Sequence, residues 1–194
     1  MTATPTTAKR VVDLTGALLL LLVLSPLLLT AAAAVALTSP GPALRRRERV
    51  GLDGHTFSMF TFRTGHPVRT GHPGTVTPVG RALRRHFLDR LPQLLNVVRG
   101  EMSLVGPHPL PPDAVGAGLG PERARLAVRP GMTGLWQVCG RSELPWEEMA
   151  VLDLHYVEQH WLGLDLAILA RTVPVAVAGR SVVHAAPVTP VRVA

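Results

Sequence analysis

The pattern of apolar and polar positions is dominated by one long apolar run near the start of the chain, from Val11 to Leu37. Asp13 lies near its start, and the pair Ser25-Pro26 interrupts it. As a helix, roughly 27 residues would reach about 40 Å, which exceeds the hydrocarbon core of a bilayer at about 30 Å. Proline lacks the N–H that a helix needs. The pattern therefore predicts a membrane-associated helix that breaks at Ser25-Pro26.

Three interpretations of this run remain open. It is too long for an ordinary cleaved signal peptide, and a single span would need tilt or a kink. A re-entrant hairpin that returns to its own side fits the flanking charges better, because basic residues mark the cytoplasmic side of a membrane. A hairpin keeps both basic flanks on that side, and Ser25 can bond the carbonyl that Pro26 frees. The flanks are Lys9 and Arg10 before the run, and Arg45, Arg46, Arg47 and Arg49 after it.

The pattern changes to short elements after a turn at 38–42. Asp53-Gly54 is typical of a hairpin turn, and the alternation over Thr56 to Phe62 predicts a strand. A loop from Thr64 to Pro78 follows. Apolar residues then recur at spacings of three and four, which predicts an amphipathic helix; they are Leu83, Phe87, Leu91, Leu94, Leu95 and Val98.

Pro92 restricts where that helix can begin, because proline is tolerated in a first turn and not in the interior. The sequence predicts Asp89 as the N-cap, a helix from Arg90 to Val98, and Gly100 beyond its end. Further on it predicts a loop over 110–121, a short helix over 121–126, a helix from Pro145 to His160, and a helix over 162–177 that lies against the membrane. The predicted organisation is a tail (1–8), a membrane hairpin (9–38), a cytoplasmic domain (39–180) and an irregular tail (181–194).

Composition adds a strong basic charge to this picture. The net charge is +7, and Lys9 is the only lysine. An arginine-rich surface favours phosphate or another anionic partner. Nucleic acid is disfavoured because aromatic residues, at 4% of the chain, are too few to interleave with the basic ones. Cys139 is the only cysteine, which excludes an internal disulfide and a cysteine-rich zinc site.

Candidate chemistry gathers around Asp89, a single carboxylate with Arg84, Arg85 and His86 before it and Arg90 after it. A helix N-terminus with nearby arginines favours phosphate, although an ordinary capped helix with a solvated basic rim gives the same pattern. The segment Val128 to Arg141 adds guanidinium groups, a flat ring and an amide, carried by Arg129, Arg141, Trp136 and Gln137. Asp153 and Tyr156, three residues apart, share one helix face, which is either exposed or functional.

Two segments, LDRLPQLLNVVRGEMSLVGPHP and VRPGMTGLWQVCGR, resemble the signatures of the bacterial sugar transferases, the monotopic phosphoglycosyl transferases. The resemblance runs from Lys9 to about Arg180. It implies a mostly helical α/β fold at the cytoplasmic face of the inner membrane: a re-entrant hairpin plus a small catalytic domain with surface amphipathic helices. It also implies transfer of a sugar phosphate from a UDP-sugar to polyprenyl phosphate, with release of UMP, as the first step of exopolysaccharide or glycoconjugate synthesis. Downstream glycosyltransferases would be partners.

The resemblance also assigns roles to residues. Asp89 matches the nucleophile, and Arg90 stands where the family has a glutamate that helps to hold Mg²⁺. His108 stands where the family has an arginine, and Glu101 matches another acid and is the remaining metal candidate. Reduced dependence on Mg²⁺ is therefore expected, and a weak or silent paralogue that acts as a membrane-bound binding partner is the alternative. The predicted phosphate-binding residues are Arg63, Arg84, Arg85, His108, Arg129, Gln137 and Arg141.

Overall fold

A computed structural model describes residues 7–66, 75–115, 121–138 and 146–179. Arg141 and the predicted tail from 181 lie outside these residues, as does most of the tail at 1–8. The described chain is mostly helical, with two small sheets. The α-helices are α1 (Thr7–Val23), α2 (Ser25–Thr38), α3 (Pro78–Arg85), α4 (Gln93–Arg99), α5 (Pro112–Val115), α6 (Pro121–Ala124), α7 (Leu135–Val138), α8 (Trp146–Gln159) and α9 (Leu162–Ala178). The strands are β1 (Leu44–Val50), β2 (Thr56–Phe62), β3 (Ser103–Val105) and β4 (Gly131–Thr133).

The predicted break in the apolar run is confirmed. Helices α1 and α2 meet at Leu24 with a bend of 64°. Pro26 cannot donate to the carbonyl of Leu22, four residues earlier, and the Ser25 hydroxyl donates to that oxygen instead at 2.8 Å. In the described residues, only this bent pair taken together has the length and apolar composition of a membrane span, and neither helix has them alone.

The two sheets bring distant segments together. Strands β1 and β2 form the predicted antiparallel hairpin, with Leu44 opposite Phe62 and Val50 opposite Thr56. Asp53 adopts a φ of 54° in its turn, a left-handed conformation that Asp tolerates better than most residues. Strands β3 and β4 pair in parallel. Strand β3 lies in the first family-like motif and leads into its Gly-Pro loop, Val105 to Pro109, and β4 lies in the second motif. This second sheet places the two family-like motifs side by side.

Helix α1 packs into the main core rather than standing apart from it. Ala17 is fully buried and belongs to the same apolar cluster as Leu94 and Val105. Asp13, the acid in the apolar run, is 4% exposed and points inward. Its carboxylate accepts hydrogen bonds from the Ser103 hydroxyl at 2.8 Å and from the Leu104 N–H at 3.1 Å. The start of the apolar run is therefore attached to strand β3, and the predicted domain boundary at 38 stays a prediction.

The predicted helix from Asp89 is wrong in its start. Phe87 adopts a left-handed φ of 57°, which ends the helical path of α3, and a 3₁₀ turn follows over Leu88–Arg90. The Arg90 and Leu91 N–H groups donate to carbonyls three residues back, and α4 begins only after Pro92. Asp89 is therefore not an α-helix N-cap, because the chain tightens into 3₁₀ turns ahead of the proline. Gly100 closes α4 with a φ of 85°, as predicted.

Other boundaries differ less. Helix α1 already includes Thr7 and Ala8, which the sequence assigned to a disordered tail, and α5 lies inside the predicted loop at 110–121. The two predicted C-terminal helices are confirmed as α8 and α9. The side of α8 that carries Asp153 and Tyr156 is buried, because these residues are 0% and 1% exposed. The interpretation of that helix face as exposed is wrong.

Candidate functional site

Asp89 lies half-buried in the 3₁₀ turn between α3 and α4, within electrostatic range of Arg47. Partial desolvation lowers the pKa of Arg47 on β1, and the neighbouring charges of Arg45, Arg49 and Arg84 lower it further, whereas the Asp89 carboxylate raises it. Arg47 therefore lies within electrostatic range of both Arg84 and Asp89. The sequence reasoning missed Arg47, although its alternating position on a basic strand was a usable signal.

Arg84, a predicted phosphate-binding residue, is fixed at this site. Its Nε donates to the Thr64 hydroxyl at 2.7 Å, which holds the side chain against the end of β2. Arg85, the next residue, is exposed on the last turn of α3. The turn around Asp89 thus has one anchored arginine and one exposed arginine on its N-terminal side.

Arg90 is held in place by aromatic rings and an amide. Its Nη1 donates to Gln137 Oε1 at 3.0 Å. Its guanidinium carbon lies 5.4 Å from the ring centroid of Trp136 and 5.6 Å from that of Phe87, within cation–π range. His108 meets the same Trp136 ring edge-on, with centroids 5.0 Å apart. Three predicted residues, Arg90, Gln137 and His108, therefore converge on one buried indole.

The Gly-Pro loop that carries His108 is fixed by a buried ion pair. The backbone N–H of His108 donates to Asp153 Oδ2 at 2.9 Å, and the same oxygen is bound by Arg125. Burial raises the pKa of Asp153, and the Arg125 charge opposes that shift. Arg125 is 2% exposed, and no sequence pattern pointed to it, because its partner lies 28 residues further along the chain.

The loop also runs directly against the second motif. The Gly106 N–H donates to the Thr133 carbonyl at 3.0 Å. A Cβ at Gly106 would lie 2.5 Å from the Arg129 carbonyl and 2.7 Å from the Gly131 nitrogen, so only glycine fits between these backbones. The glycines of the two motifs therefore permit the close approach that brings His108 to Trp136.

Two predicted phosphate-binding residues have structural partners elsewhere. Arg129 Nε donates to the Gly100 carbonyl at 2.8 Å, at the C-terminal end of α4, where a cation is favourable. Arg63 donates to the carbonyls of Ser39 and Pro40, each at 2.6 Å, and joins the end of α2 to β2. Arg141 lies outside the described residues. These contacts place Arg129 and Arg63 in the framework around the site.

Glu101, the predicted metal candidate, has a partner within the protein. It accepts a hydrogen bond from Asn96 Nδ2 at 2.6 Å and borders an open pocket with Glu48, Arg46 and Arg99. No group of three or more His, Cys, Asp or Glu side chains that could hold a metal ion occurs in the parts of the chain that the structure describes. Mg²⁺ is usually held by only one or two carboxylates together with substrate phosphates, so the role of Glu101 stays a prediction.

These features define a member of a known enzyme class. The family model described as Bacterial sugar transferase matches residues 4–179, and the chain belongs to that family. It is 44% identical over 183 residues to the UDP-glucose:undecaprenyl-phosphate glucose-1-phosphate transferase of Caulobacter vibrioides, covering 86% of this chain and 68% of that protein.

Two further relatives extend the comparison. The exopolysaccharide production protein ExoY of Sinorhizobium fredii is 36% identical over 190 residues, covering 86% of this chain and 84% of that protein. The undecaprenyl-phosphate galactose phosphotransferase of Salmonella typhimurium is 33% identical over 190 residues, covering 86% of this chain and 40% of that protein. The resemblance drawn from the two motifs is confirmed.

Proposed function

We propose that this protein is a membrane phosphoglycosyl transferase that moves a sugar 1-phosphate from a UDP-sugar to polyprenyl phosphate and releases UMP. The observation that carries the proposal is the half-buried carboxylate of Asp89 on an arginine-rich surface: Arg47 is within electrostatic range of both Asp89 and Arg84, and Arg90 follows Asp89 in the same turn. The names of the relatives, which act on undecaprenyl phosphate and belong to exopolysaccharide production, support the reaction and its place at the start of such a pathway. Glycosyltransferases that extend the lipid-linked sugar would consume the product.

The reaction proceeds in two displacements at phosphorus. A carboxylate oxygen of Asp89 attacks the phosphorus that bears the sugar, the bond from that phosphorus to the bridging oxygen breaks, and UMP leaves with the electron pair. A phosphate oxygen of the polyprenyl phosphate then attacks the same phosphorus and releases the Asp89 carboxylate. A direct reaction would require one anionic substrate to attack the other. The covalent intermediate replaces that single displacement with two easier steps.

Arginine side chains supply the positive charge that both displacements need. The substrate diphosphate and the attacking carboxylate are all anionic, and guanidinium groups form strong, often bidentate, bonds to phosphate. Arg90 is preorganised for this role, because Trp136 and Gln137 already fix its side chain. His108 meets the same ring edge-on and can bond a phosphate oxygen.

Magnesium has a reduced role in this proposal. The Asp89 carboxylate lies within electrostatic range of Arg47, and Arg90 stands where the family has a glutamate, so fixed cations take over part of the metal's charge role. Guanidinium groups cannot reproduce the octahedral coordination of Mg²⁺, so some stimulation by a divalent cation that arrives with the diphosphate is expected. Activity should therefore fall only in part when a chelator is added.

The bent pair of helices is proposed to be a re-entrant hairpin in the cytoplasmic face of the inner membrane. Both flanks are basic, so a hairpin leaves Lys9 and the arginines of β1 on the same side. Helix α9 is proposed to lie against that membrane surface, because Leu166, Val173 and Val177 are 59–74% exposed along it. This arrangement lets a soluble donor and a lipid acceptor meet at Asp89.

The test is release of UMP from a panel of UDP-sugars, with and without undecaprenyl phosphate. We expect a single burst without acceptor and continuous turnover with it. Asp89→Asn keeps the size and polarity of the side chain and removes the attacking anion, so it should abolish both phases. Asp89→Asn turning over at the wild-type rate would disprove the nucleophile. A wild-type chain that releases UMP from none of the donors would disprove the activity and leave a silent paralogue.

A further inference from the structure

A cavity of about 840 Å³ lies where α2 ends and the β1–β2 hairpin begins. One part of its wall is apolar and consists of Pro40, Pro42, Leu44 and Phe60. Leu37, one turn before Pro40, is 87% exposed, so the apolar surface of α2 continues to the edge of the cavity. An apolar chain that lies along α2 would therefore end at this wall.

The other part of the wall is basic. Arg45, Arg46, Arg63 and His66 line it, and no Asp or Glu does so in the described part of the chain. The guanidinium carbon of Arg46 lies 5.6 Å from the Phe60 ring centroid, which places that charge over the apolar wall. Arg45 and Arg46 are exposed, so they are accessible to a ligand. A basic wall without acidic residues favours an anion.

Arg63 is a fixed part of the cavity wall. Its Nη atoms bind the carbonyls of Ser39 and Pro40, which ties the end of α2 to the end of β2. Gly41 has a φ of 105°, and a Cβ there would lie 2.5 Å from Arg63 Nη1. The wall is therefore a fixed turn in which the backbone passes directly against a guanidinium group.

The cavity adjoins the site at Asp89 through shared neighbours. Thr64, between the lining residues Arg63 and Gly65, accepts the hydrogen bond that fixes Arg84. Arg45 lies close enough to Arg47 to lower the pKa of that residue, which also senses Asp89. An anion at Arg45 would thus lie near Arg47, the arginine that is within electrostatic range of Asp89.

We propose that this cavity binds the polyprenyl phosphate acceptor, with its phosphate at Arg45 and Arg46 and its first isoprene units against Pro40, Pro42 and Phe60. This inference rests on the proposed function, because it gives that reaction's second substrate a place. An apolar tail joined to a single phosphate matches both walls at once. A nucleotide sugar matches only the basic one.

Kinetics of the two half-reactions test the assignment. Arg45→Gln and Arg46→Gln should each raise the KM for undecaprenyl phosphate about tenfold, the loss expected for one charge-assisted contact. The burst of UMP without acceptor should be unchanged, because it needs only the donor. Arg81→Gln is the matched control: it removes the same charge from an exposed residue of α3 outside the cavity. A burst reduced as much as the acceptor step would overturn the proposal and assign the cavity to the donor.

A binding experiment separates this proposal from the proposed function. A photoreactive polyprenyl phosphate analogue, crosslinked to the wild-type protein in nanodiscs, should label the peptide that contains residues 40–46, with less labelling in Arg46→Gln than in Arg81→Gln. Undecaprenyl phosphate should compete. Equal competition by phosphatidylglycerol would mean that the cavity binds anionic lipids in general. Competition by inorganic phosphate or UDP would mean that it binds soluble anions. Either result would overturn the proposal. Labelling does not require turnover, so it would support or refute acceptor binding in this cavity even if the chain had no transferase activity.

Discussion

Tyr156 gives a prediction that the sequence makes unusually easy to measure, because it is the only tyrosine in the chain. Its side chain is 1% exposed, and its hydroxyl lies 2.7 Å from Asp165 Oδ1 and 3.1 Å from the Val105 carbonyl oxygen. Burial, followed by the nearby Asp165 carboxylate, raises the pKa of Tyr156 well above its ordinary value. The folded protein therefore holds this proton when an unfolded chain would lose it.

The sign and size of the effect follow from linkage. The unfolded tyrosine ionises near pH 10, so the stability that the protonated hydroxyl contributes is complete below about pH 10 and is lost as the pH rises above it. The free energy of unfolding should fall by about 1.4 kcal/mol for each pH unit beyond that point. Tyr156→Phe should remove this slope, at a cost of about 1 kcal/mol at neutral pH for the lost hydrogen bond.

The assay is the ultraviolet absorbance of tyrosinate, followed together with far-ultraviolet circular dichroism during an alkaline titration in nanodiscs. We expect tyrosinate to form only when the helical signal is lost. The same protein in guanidinium chloride should titrate near pH 10, about the value of a free tyrosine. Tyrosinate absorbance near that pH in protein that is still folded would refute the buried contact between Tyr156 and Asp165.

Three further predictions follow from the same structure. Asp13→Ala should lower the free energy of unfolding by about 1–3 kcal/mol, because the buried N–H of Leu104 loses its acceptor, whereas Lys9 keeps its ion pair with Asp165; an unchanged melting temperature would contradict the contacts of α1. Arg90→Glu should raise both turnover and the loss of activity on chelation, measured against the native chain; equal metal dependence in the two would exclude Arg90 as a substitute for the metal's charge. Pro26→Leu should straighten the hairpin, so that a cysteine added after Ala194 becomes labelled from outside the cell; labelling in the wild type would contradict the hairpin.

The parts of the fold that could be predicted are those that depend on local chemistry. Pro26 lacks an N–H wherever it lies, so the break and the bond from Ser25 to Leu22 follow from the sequence alone. The Asp53-Gly54 turn and the Gly100 helix end are equally local. The start of α4 could not be predicted from local chemistry. It depends on the left-handed conformation of Phe87, a buried residue whose side chain lies under Arg90.

The site was predicted in part for a similar reason. Asp89, Arg90, Gln137 and His108 lie in motifs, and the structure brings Arg90, Gln137 and His108 together around Trp136. Arg125, Arg47 and Asp13 were missed as members of the framework. Arg125 and Asp13 act through partners 28 and 91 residues away, and no pattern of period two or 3.6 carries that information. Arg47 lies within range of Asp89, and only its place on a basic strand was a signal for it.

The attachment of Asp13 to Ser103 and Leu104 has a practical consequence for work with this enzyme. Strand β3 leads directly into the loop that carries His108, so the first turns of the apolar run support that loop from behind. Cutting the chain at Pro40 to obtain a detergent-free fragment would remove the carboxylate that accepts from the Leu104 N–H and would uncover the apolar surface around Leu104. In the proposed hairpin, insertion into the bilayer and completion of the domain would therefore be coupled, and lipid should be present when the protein is made.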